Sequence, residues 1–212
     1  FWRQTPRVLL GGGFIAGERG KMFFNETIDC LTSWGAETGV YSLFSPAQHM
    51  PLFGAAAGQP EGTLCLDFGH GSVKGMIKGA EEEIITHTMD LNDLHEGMDP
   101  EFAKVVVDKV TMALSYFRKE FSLGLVPALA VSIAAYVEDG VFMKNDRGAY
   151  CKLVIIEENA EKLFGELWEK AGSTAAEVRV FHDGTAAARN LSSPGAAIVL
   201  GTSIGHGFSE SL

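Results

Sequence analysis

Twice in this chain a hydrophobic strand runs into a glycine turn edged with hydroxyls and leaves it as a second strand. The two stretches are Leu66-Asp67-Phe68-Gly69-His70-Gly71-Ser72-Val73-Lys74 and Val199-Leu200-Gly201-Thr202-Ser203-Ile204-Gly205-His206-Gly207. This device constrains the fold more than any other feature, because it demands sheet strands that meet at short glycine turns. Glycines in such turns let backbone N–H groups converge on an anion, as phosphate-binding nests do. Gly69, Gly71, Ser72 and Lys74 form the first candidate anion site, and Gly201, Thr202, Ser203 and Gly205 the second. Asp67 closes the first strand beside its turn and could hold a magnesium ion, directly or through water. The plain alternative is a pair of ordinary hairpins, with Gly69 and Gly71 supplying positive φ angles in the first. Two such hairpins after two hydrophobic strands are less expected by chance than one.

A third constellation, Phe181-His182-Asp183-Gly184-Thr185-Ala186, again sets a carboxylate at the end of a strand, now entering a helix. Asp183 there suits either an N-cap or a general base that takes a proton from a substrate hydroxyl. A fourth, Gly11-Gly12-Gly13 with Ala16, follows the strand Arg7 to Leu10 and satisfies a loose dinucleotide-binding pattern. That reading needs an acidic residue at the end of the next strand. The next strand, Val40 to Phe44, ends instead in Ser45-Pro46. His70, His182 and His206 lie near glycine turns, but no H-x-x-x-H spacing makes them a metal set.

The spacing of apolar residues places these motifs. A polar, glycine-rich joint at 58–62 divides the chain into two blocks. Before it come the strand ending at Gly11, a helix over about 18–34, a strand at 40–44 and the small-residue run Gly54-Ala55-Ala56-Ala57. After it, strands at 63–68, 72–78 and 83–87 are joined by short turns and predict an antiparallel meander. Asp99 and Pro100 start a helix whose Phe102, Val105, Val106, Val110, Ala113, Leu114 and Phe117 share a face. A strand at 128–134, a helix over 157–171, a strand at 178–181, a short alanine-rich helix and a strand at 196–200 complete an α/β chain with a mixed sheet. The 196–200 strand is expected in the meander's sheet. No internal repeat is visible.

Composition excludes several classes. Seventeen Lys and Arg against 27 Asp and Glu give a net charge of −10, which disfavours nucleic acid and anionic membrane surfaces as partners. It leaves room for a nucleotide held by backbone amides and a metal ion. Three unpaired-looking cysteines, Cys30, Cys65 and Cys151, fit a reducing cytosol, and no secretory signal pattern opens the chain. Phe1 stands where a methionine would start a gene product, as in a fragment or a processed chain.

Taken together, the turns resemble the superfamily of acetate and sugar kinases, heat-shock chaperone ATPases and actin, and within it the ROK and bacterial glucokinase group. Leu66 to Lys74 is similar to the family's first phosphate motif, and Val199 to Gly207 to its second, of G-T-G-x-G type. Phe181 to Ala188 resembles the strand-to-helix turn that carries the catalytic aspartate. Val8 to Gly13 resembles the adenosine motif, and Gly54-Ala55 the G-A-A that follows it. The likeness touches most of the chain through short motifs that are specific only as a set.

The resemblance implies an actin-like ATPase (ribonuclease H-like) fold and a cytoplasmic, ATP-dependent kinase of a sugar or polyol. ATP would lie with its adenosine against Gly11, Gly12 and Gly13 and its phosphates at the hairpins of Gly69 and Gly201. Asp67 would organise Mg, and Asp183 would activate the acceptor hydroxyl. A small-molecule sugar or polyol acceptor is the implied partner, and self-association into a homo-oligomer is left open. The motif order is unusual: residues 1–58 resemble the family's C-terminal lobe and residues 63–212 its N-terminal phosphate-binding lobe. Circular permutation, a fragment spanning tandem domains, or an abnormally assembled chain would each give that order. The ROK zinc motif and the glutamate and histidine that hold sugar hydroxyls have no counterpart. His182 replaces a sugar-contacting Asn, making it the substrate-binding candidate, and Ser203 replaces a Gly. The alternative is a non-catalytic relative that senses nucleotide or sugar.

Overall fold

A computed structural model of the chain describes residues 7–33, 40–80, 83–91, 99–144, 148–192, 194–201 and 204–209. In chain order the elements are β1 (Arg7–Gly11), α1 (Gly13–Ala16), α2 (Glu18–Ser33), β2 (Val40–Leu43) and α3 (Met50–Ala56). There follow β3 (Leu64–Phe68), β4 (Ser72–Ile77), β5 (Ile85–Thr88), α4 (Pro100–Glu120) and β6 (Leu125–Ile133). A small hairpin of β7 (Val137–Glu138) and β8 (Val141–Phe142) precedes a 3-10 helix at Ala149–Ile155. The chain closes with α5 (Ala160–Lys170), β9 (Thr174–His182), α6 (Asp183–Ala188), β10 (Ala196–Leu200) and β11 (Ile204–Phe208). These elements form two compact units: a central one, Gly58–His182, and a terminal one made of Phe1–Ala57 and Asp183–Leu212.

The central unit is built on a five-stranded sheet of order β5-β4-β3-β6-β9. The meander β3-β4-β5 is antiparallel, and β6 and β9 add in parallel to β3. This is the mixed sheet expected. Every residue of β3 is buried, as for a strand covered on both faces. Its alternation divides the two faces: Leu64, Leu66 and Phe68 pair with Leu129, Val131 and Ile133 in the main hydrophobic core. Cys65 and Asp67 pair with Ala130 and Ser132 on the opposite face.

Against the apolar face pack Val106, Val110, Ala113, Leu114 and Phe117 of α4 and Leu163, Phe164, Leu167 and Trp168 of α5. The start of α4 is as predicted: Pro100 opens it, and the Asp99 side chain accepts the Glu101 N–H at 2.8 Å. Two residues assigned to its inner face are not there. Phe102 is 38% and Val105 39% exposed. Val105 lies about 100° around the helix from Val106, and Phe102 belongs to the first turn, before the buried stripe is established.

The terminal unit has a four-stranded sheet of order β11-β10-β1-β2, with β11 antiparallel to β10 and β1 and β2 parallel to it. That is the order and sense of β4-β3-β6-β9 in the central unit, so the two units share a topology that no sequence repeat announces. The expected placement of 196–200 in the meander's sheet is therefore corrected: β10 pairs in parallel with β1, Val8 to Gly11 opposite Ala196 to Val199. The physical reason is the short apolar run of β1, which buries its backbone only between two parallel neighbours. Residues 183–212 group with 1–57 in the terminal unit.

The core of this unit is small and alanine-rich: Leu9, Met50, Ala187, Ala188, Ala197 and Val199, with Phe44 and Leu191 against it. Small residues let α6 lie close to its neighbours. A side chain at Gly54 of α3 would run into the Ala186 carbonyl. Arg189 and Asn190, just past α6, donate to carbonyls of α3: Arg189 Nη2 to Ala57 at 2.5 Å and Asn190 Nδ2 to Met50 at 2.8 Å. These bonds fasten α3 to α6, and the Arg189 bond serves a carbonyl at the C-terminal end of α3, where no partner exists within the helix.

Candidate active site

Parallel strands expose their carboxyl ends as a common edge, and ligands of open α/β sheets bind beyond it. In the central unit that edge carries Asp67 and Gly69 after β3, Tyr136 after β6, and His182 at the end of β9.

Asp67 stands in a row across three strands, opposite Lys74 on β4 and Ser132 on β6. Ser132, fully buried, donates through Oγ to Asp67 Oδ1 at 3.0 Å. Lys74 Nζ lies 3.3 Å from Oδ2, an ion pair whose lysine side chain is 20% exposed. A carboxylate that is 5% exposed needs such partners to stay ionised in a sheet interior. The row thus holds Asp67 in one orientation at the base of the turn.

The turn itself is cross-tied. Gly69 N–H donates to the Ser72 carbonyl at 3.0 Å, and Met89 N–H donates to the Gly71 carbonyl at 3.1 Å. Ser72 starts β4 opposite Thr88. Neither Gly69 nor Gly71 has a positive φ, so the alternative explanation for these glycines fails. Gly71 is exposed, and nothing lies within 4 Å of where a Cβ would stand. Its lack of a side chain serves neither the backbone conformation nor internal packing; it leaves the turn's backbone open to an approaching group.

Tyr150, which carried no signal in the sequence, anchors the turn from beneath. It is fully buried on the 3-10 helix, and its hydroxyl donates to the Gly69 carbonyl at 2.9 Å. Its ring meets Phe68 edge-on at 6.2 Å and lies 6.3 Å from the His70 ring. Burial, helped by the charge of Asp67, pushes its phenol well above the ordinary value of 10.0. Tyr136 is the second residue missed. Its ring stacks on His182, with centroids 4.3 Å apart and planes 18° apart. The imidazole is consequently 6% exposed, whereas Tyr136 is 42% exposed. The Tyr136 backbone is fixed by the Met143 N–H, which donates to its carbonyl at 3.0 Å.

In the terminal unit the carboxyl ends of β1 and β10 bring the Gly11 to Gly13 loop beside Leu200 and Gly201. Gly12 is the residue that requires glycine: its φ is 103°, and a Cβ would strike the Leu200 carbonyl. Its N–H donates to Ala47 at 2.7 Å. At Gly11 a Cβ would come within 2.6 Å of Met50 Cε. Gly13, opening α1, is exposed with nothing within 4 Å of its Cβ position. Gly201 is exposed at the second hairpin turn; Thr202 and Ser203 lie outside the described residues. Here the parallel β1–β10 pairing joins two motifs that are far apart in sequence.

Asp183 is the first residue of α6, half-buried, and its Oδ1 accepts the Gly184 N–H at 2.6 Å. The helix start lies directly on β11. A Cβ on Gly205 would stand 2.5 Å from Asp183 Oδ1, and side chains at Gly184 or Gly207 would collide with facing backbone. The glycine spacing Gly205-x-Gly207 therefore belongs to the packing under Asp183, which assigns Gly205 to the support of that carboxylate. The ring of His206, between them, meets Phe208 edge-on at 6.2 Å.

Among the described residues no group of three or more His, Cys, Asp and Glu is placed to hold a metal ion, and no helix is long and apolar enough to cross a membrane. No family model matches the chain. No curated protein matches it. Among solved structures, a hexokinase from Schistosoma mansoni complexed with glucose is similar over 72% of this chain, at 16% identity and a TM-score of 0.43. The chain covers 38% of that hexokinase.

Proposed function

We propose that this protein transfers the γ-phosphoryl group of ATP to a hydroxyl of a sugar or sugar-like polyol. The observation that carries the reading is the open glycine turn at Gly71, set directly after a buried, oriented carboxylate. The terminal unit's sheet repeats the strand order of the central one, and the antiparallel pair β10–β11 stands there as β3–β4 does in the central sheet. Phosphoryl transfer asks a protein chiefly for positioning and charge stabilisation, and backbone amides at fixed turns provide both.

In this reading the terminal unit is the adenosine lobe, with Gly11, Gly12 and Gly13 against the nucleoside and Gly201, Thr202 and Ser203 against phosphate. In the central unit Gly69, Gly71 and Ser72 are the phosphate-binding residues of this reading, with Lys74 contributing charge. Strands β10 and β11 come from the end of the chain and β1 and β2 from its start, the order a circular permutation produces.

Asp67 is the carboxylate that would hold magnesium. Its Oδ1 accepts from Ser132 and its Oδ2 pairs with Lys74, and an oriented carboxylate of this kind fits an ion bound largely through water and substrate phosphates. Bound there, the ion would neutralise charge on the transferring phosphate. Asp183 takes the proton of the acceptor hydroxyl as its oxygen forms a bond to the γ-phosphorus and the bond to the ADP oxygen breaks. Its Gly184 bond fixes the carboxylate, and Gly205 keeps the space beneath it clear. His182 is the acceptor-side candidate.

A second reading, a sensor that binds ligand without turnover, is favoured by the burial of His182 under Tyr136 at the position of a sugar-contacting residue. Coupled ADP release over hexoses, N-acetylhexosamines and polyols separates the two. Acceptor-dependent release above acceptor-free hydrolysis is expected of the kinase, and ATP binding without it of the sensor.

A further inference from the structure

We propose that Tyr150 is a positioning residue for the first glycine turn, holding the Gly69–His70 peptide in the orientation that presents the turn's amides to a phosphate group. The inference rests on the reading of that turn as a nucleotide-phosphate site.

A peptide unit is planar and trans, so its C=O and N–H point in opposite directions. The Gly69 carbonyl accepts a hydrogen bond from a hydroxyl that is completely buried. It therefore points into the unit, and the N–H of the same planar peptide points the opposite way. Gly69, which precedes this peptide, has no Cβ to restrict its rotation. Tyr150 removes that freedom at a single bond.

The ring is mounted for the purpose. It packs edge-on against Phe68, which itself meets Phe164 of α5 at 5.4 Å. The 3-10 helix that bears it is closed by its own backbone bonds, Cys151 N–H to Gly148 at 3.2 Å and Ile156 N–H to Leu153 at 3.0 Å. Tyr150 touches neither nucleotide nor acceptor; it acts through the turn.

The test compares Tyr150→Phe with Phe164→Leu in the full chain. Tyr150→Phe deletes the hydroxyl and keeps the ring; Phe164→Leu disturbs the same aromatic stack and keeps the hydroxyl. Magnesium-ATP affinity is measured by calorimetry, with melting temperature as the record of folding. Tyr150→Phe is expected to weaken magnesium-ATP binding by ~5-fold, the scale of one net hydrogen bond. Phe164→Leu is expected to lower the melting temperature more and to leave affinity within about twofold of the parent. Affinity unchanged in Tyr150→Phe, or weakened equally in both variants, overturns the positioning role. A parent chain that binds no ATP overturns the phosphate-site reading beneath it, and the inference with it.

Discussion

Ser132 and Asp67 face each other across the parallel pair β3–β6, with the serine hydroxyl 3.0 Å from Oδ1. The serine is a buried hydroxyl opposite a buried carboxylate, so its removal strips a charged group of a partner in a place water does not easily replace. Ser132→Ala is expected to cost about 1–3 kcal/mol, read from denaturant midpoints. Asp67→Asn should act differently. It should weaken nucleotide binding in the presence of magnesium and leave magnesium-free binding nearly unchanged, as titrations with and without the ion will show. Equal losses in both titrations would remove Asp67 from the metal role.

The two glycines of β11 should separate by what they face. At Gly207 an added methyl meets backbone of α6, which cannot move without displacing the helix; Gly207→Ala is expected to destabilise by about 3 kcal/mol. At Gly205 it meets a carboxylate, which can turn aside. Gly205→Ala should therefore fold and lose ~10²-fold or more in acceptor phosphorylation, because the displaced group is the proposed base. A Gly205→Ala variant with full turnover would detach Asp183 from catalysis.

Much of the central unit was legible because its signals are local. Asp99 and Pro100 announce α4 within two residues, and the turns at Gly69 and Gly79 bound the meander strands. What failed was non-local. The β10 strand looks, by pattern, equally fit for either sheet, and its pairing with β1 joins opposite ends of the chain. Tyr150 reaches Gly69 across 81 positions, which no periodicity encodes. Gly205 and Gly207 pack against the start of α6, and a helix lying on a strand leaves the same glycine signature in the sequence as a bound anion does. A tight helix-on-strand approach was the signal available in the alanine run that follows Asp183.

Alkaline conditions should weaken the fold in two stages. Burial, partly offset by Lys78, pushes the Cys65 thiol from 9.0 up to about 12, so the folded chain holds this proton more tightly than the unfolded chain. Its contribution, about 4 kcal/mol at most, is complete below pH 9 and is lost as pH rises toward 12. Tyr150, also raised by burial, adds a loss that begins above its ordinary value of 10.0. Cys65→Ala is expected to move the onset of the alkaline decline in melting temperature from about pH 9 to about pH 10. An unchanged profile in that variant would place the decline elsewhere.

His182 offers a test of the acceptor side. His182→Asn removes the ring that stacks on Tyr136 and installs a side chain with both donor and acceptor groups. It should change the KM for the acceptor by ~5-fold or more while ATP affinity holds, since a hydrogen-bonding contact to substrate is worth about that much. A variant that loses ATP binding in step with its melting temperature would make the Tyr136–His182 stack structural only.

Asp183 carries the central claim. Its carboxylate accepts the Gly184 N–H at the start of α6, a bond the Asn carbonyl can also accept, but Asn cannot take up a proton at neutral pH. The decisive measurement is transfer of the labelled γ-phosphate of ATP to sugar acceptors by the parent chain and by Asp183→Asn, with ATP affinity measured for both. Phosphorylated acceptor from the parent, at least ~10²-fold less from the variant, and equal ATP affinity in the two is the result expected of a base-assisted sugar kinase. A variant that transfers phosphate as fast as the parent, or a parent that binds ATP and transfers to no acceptor, would contradict it.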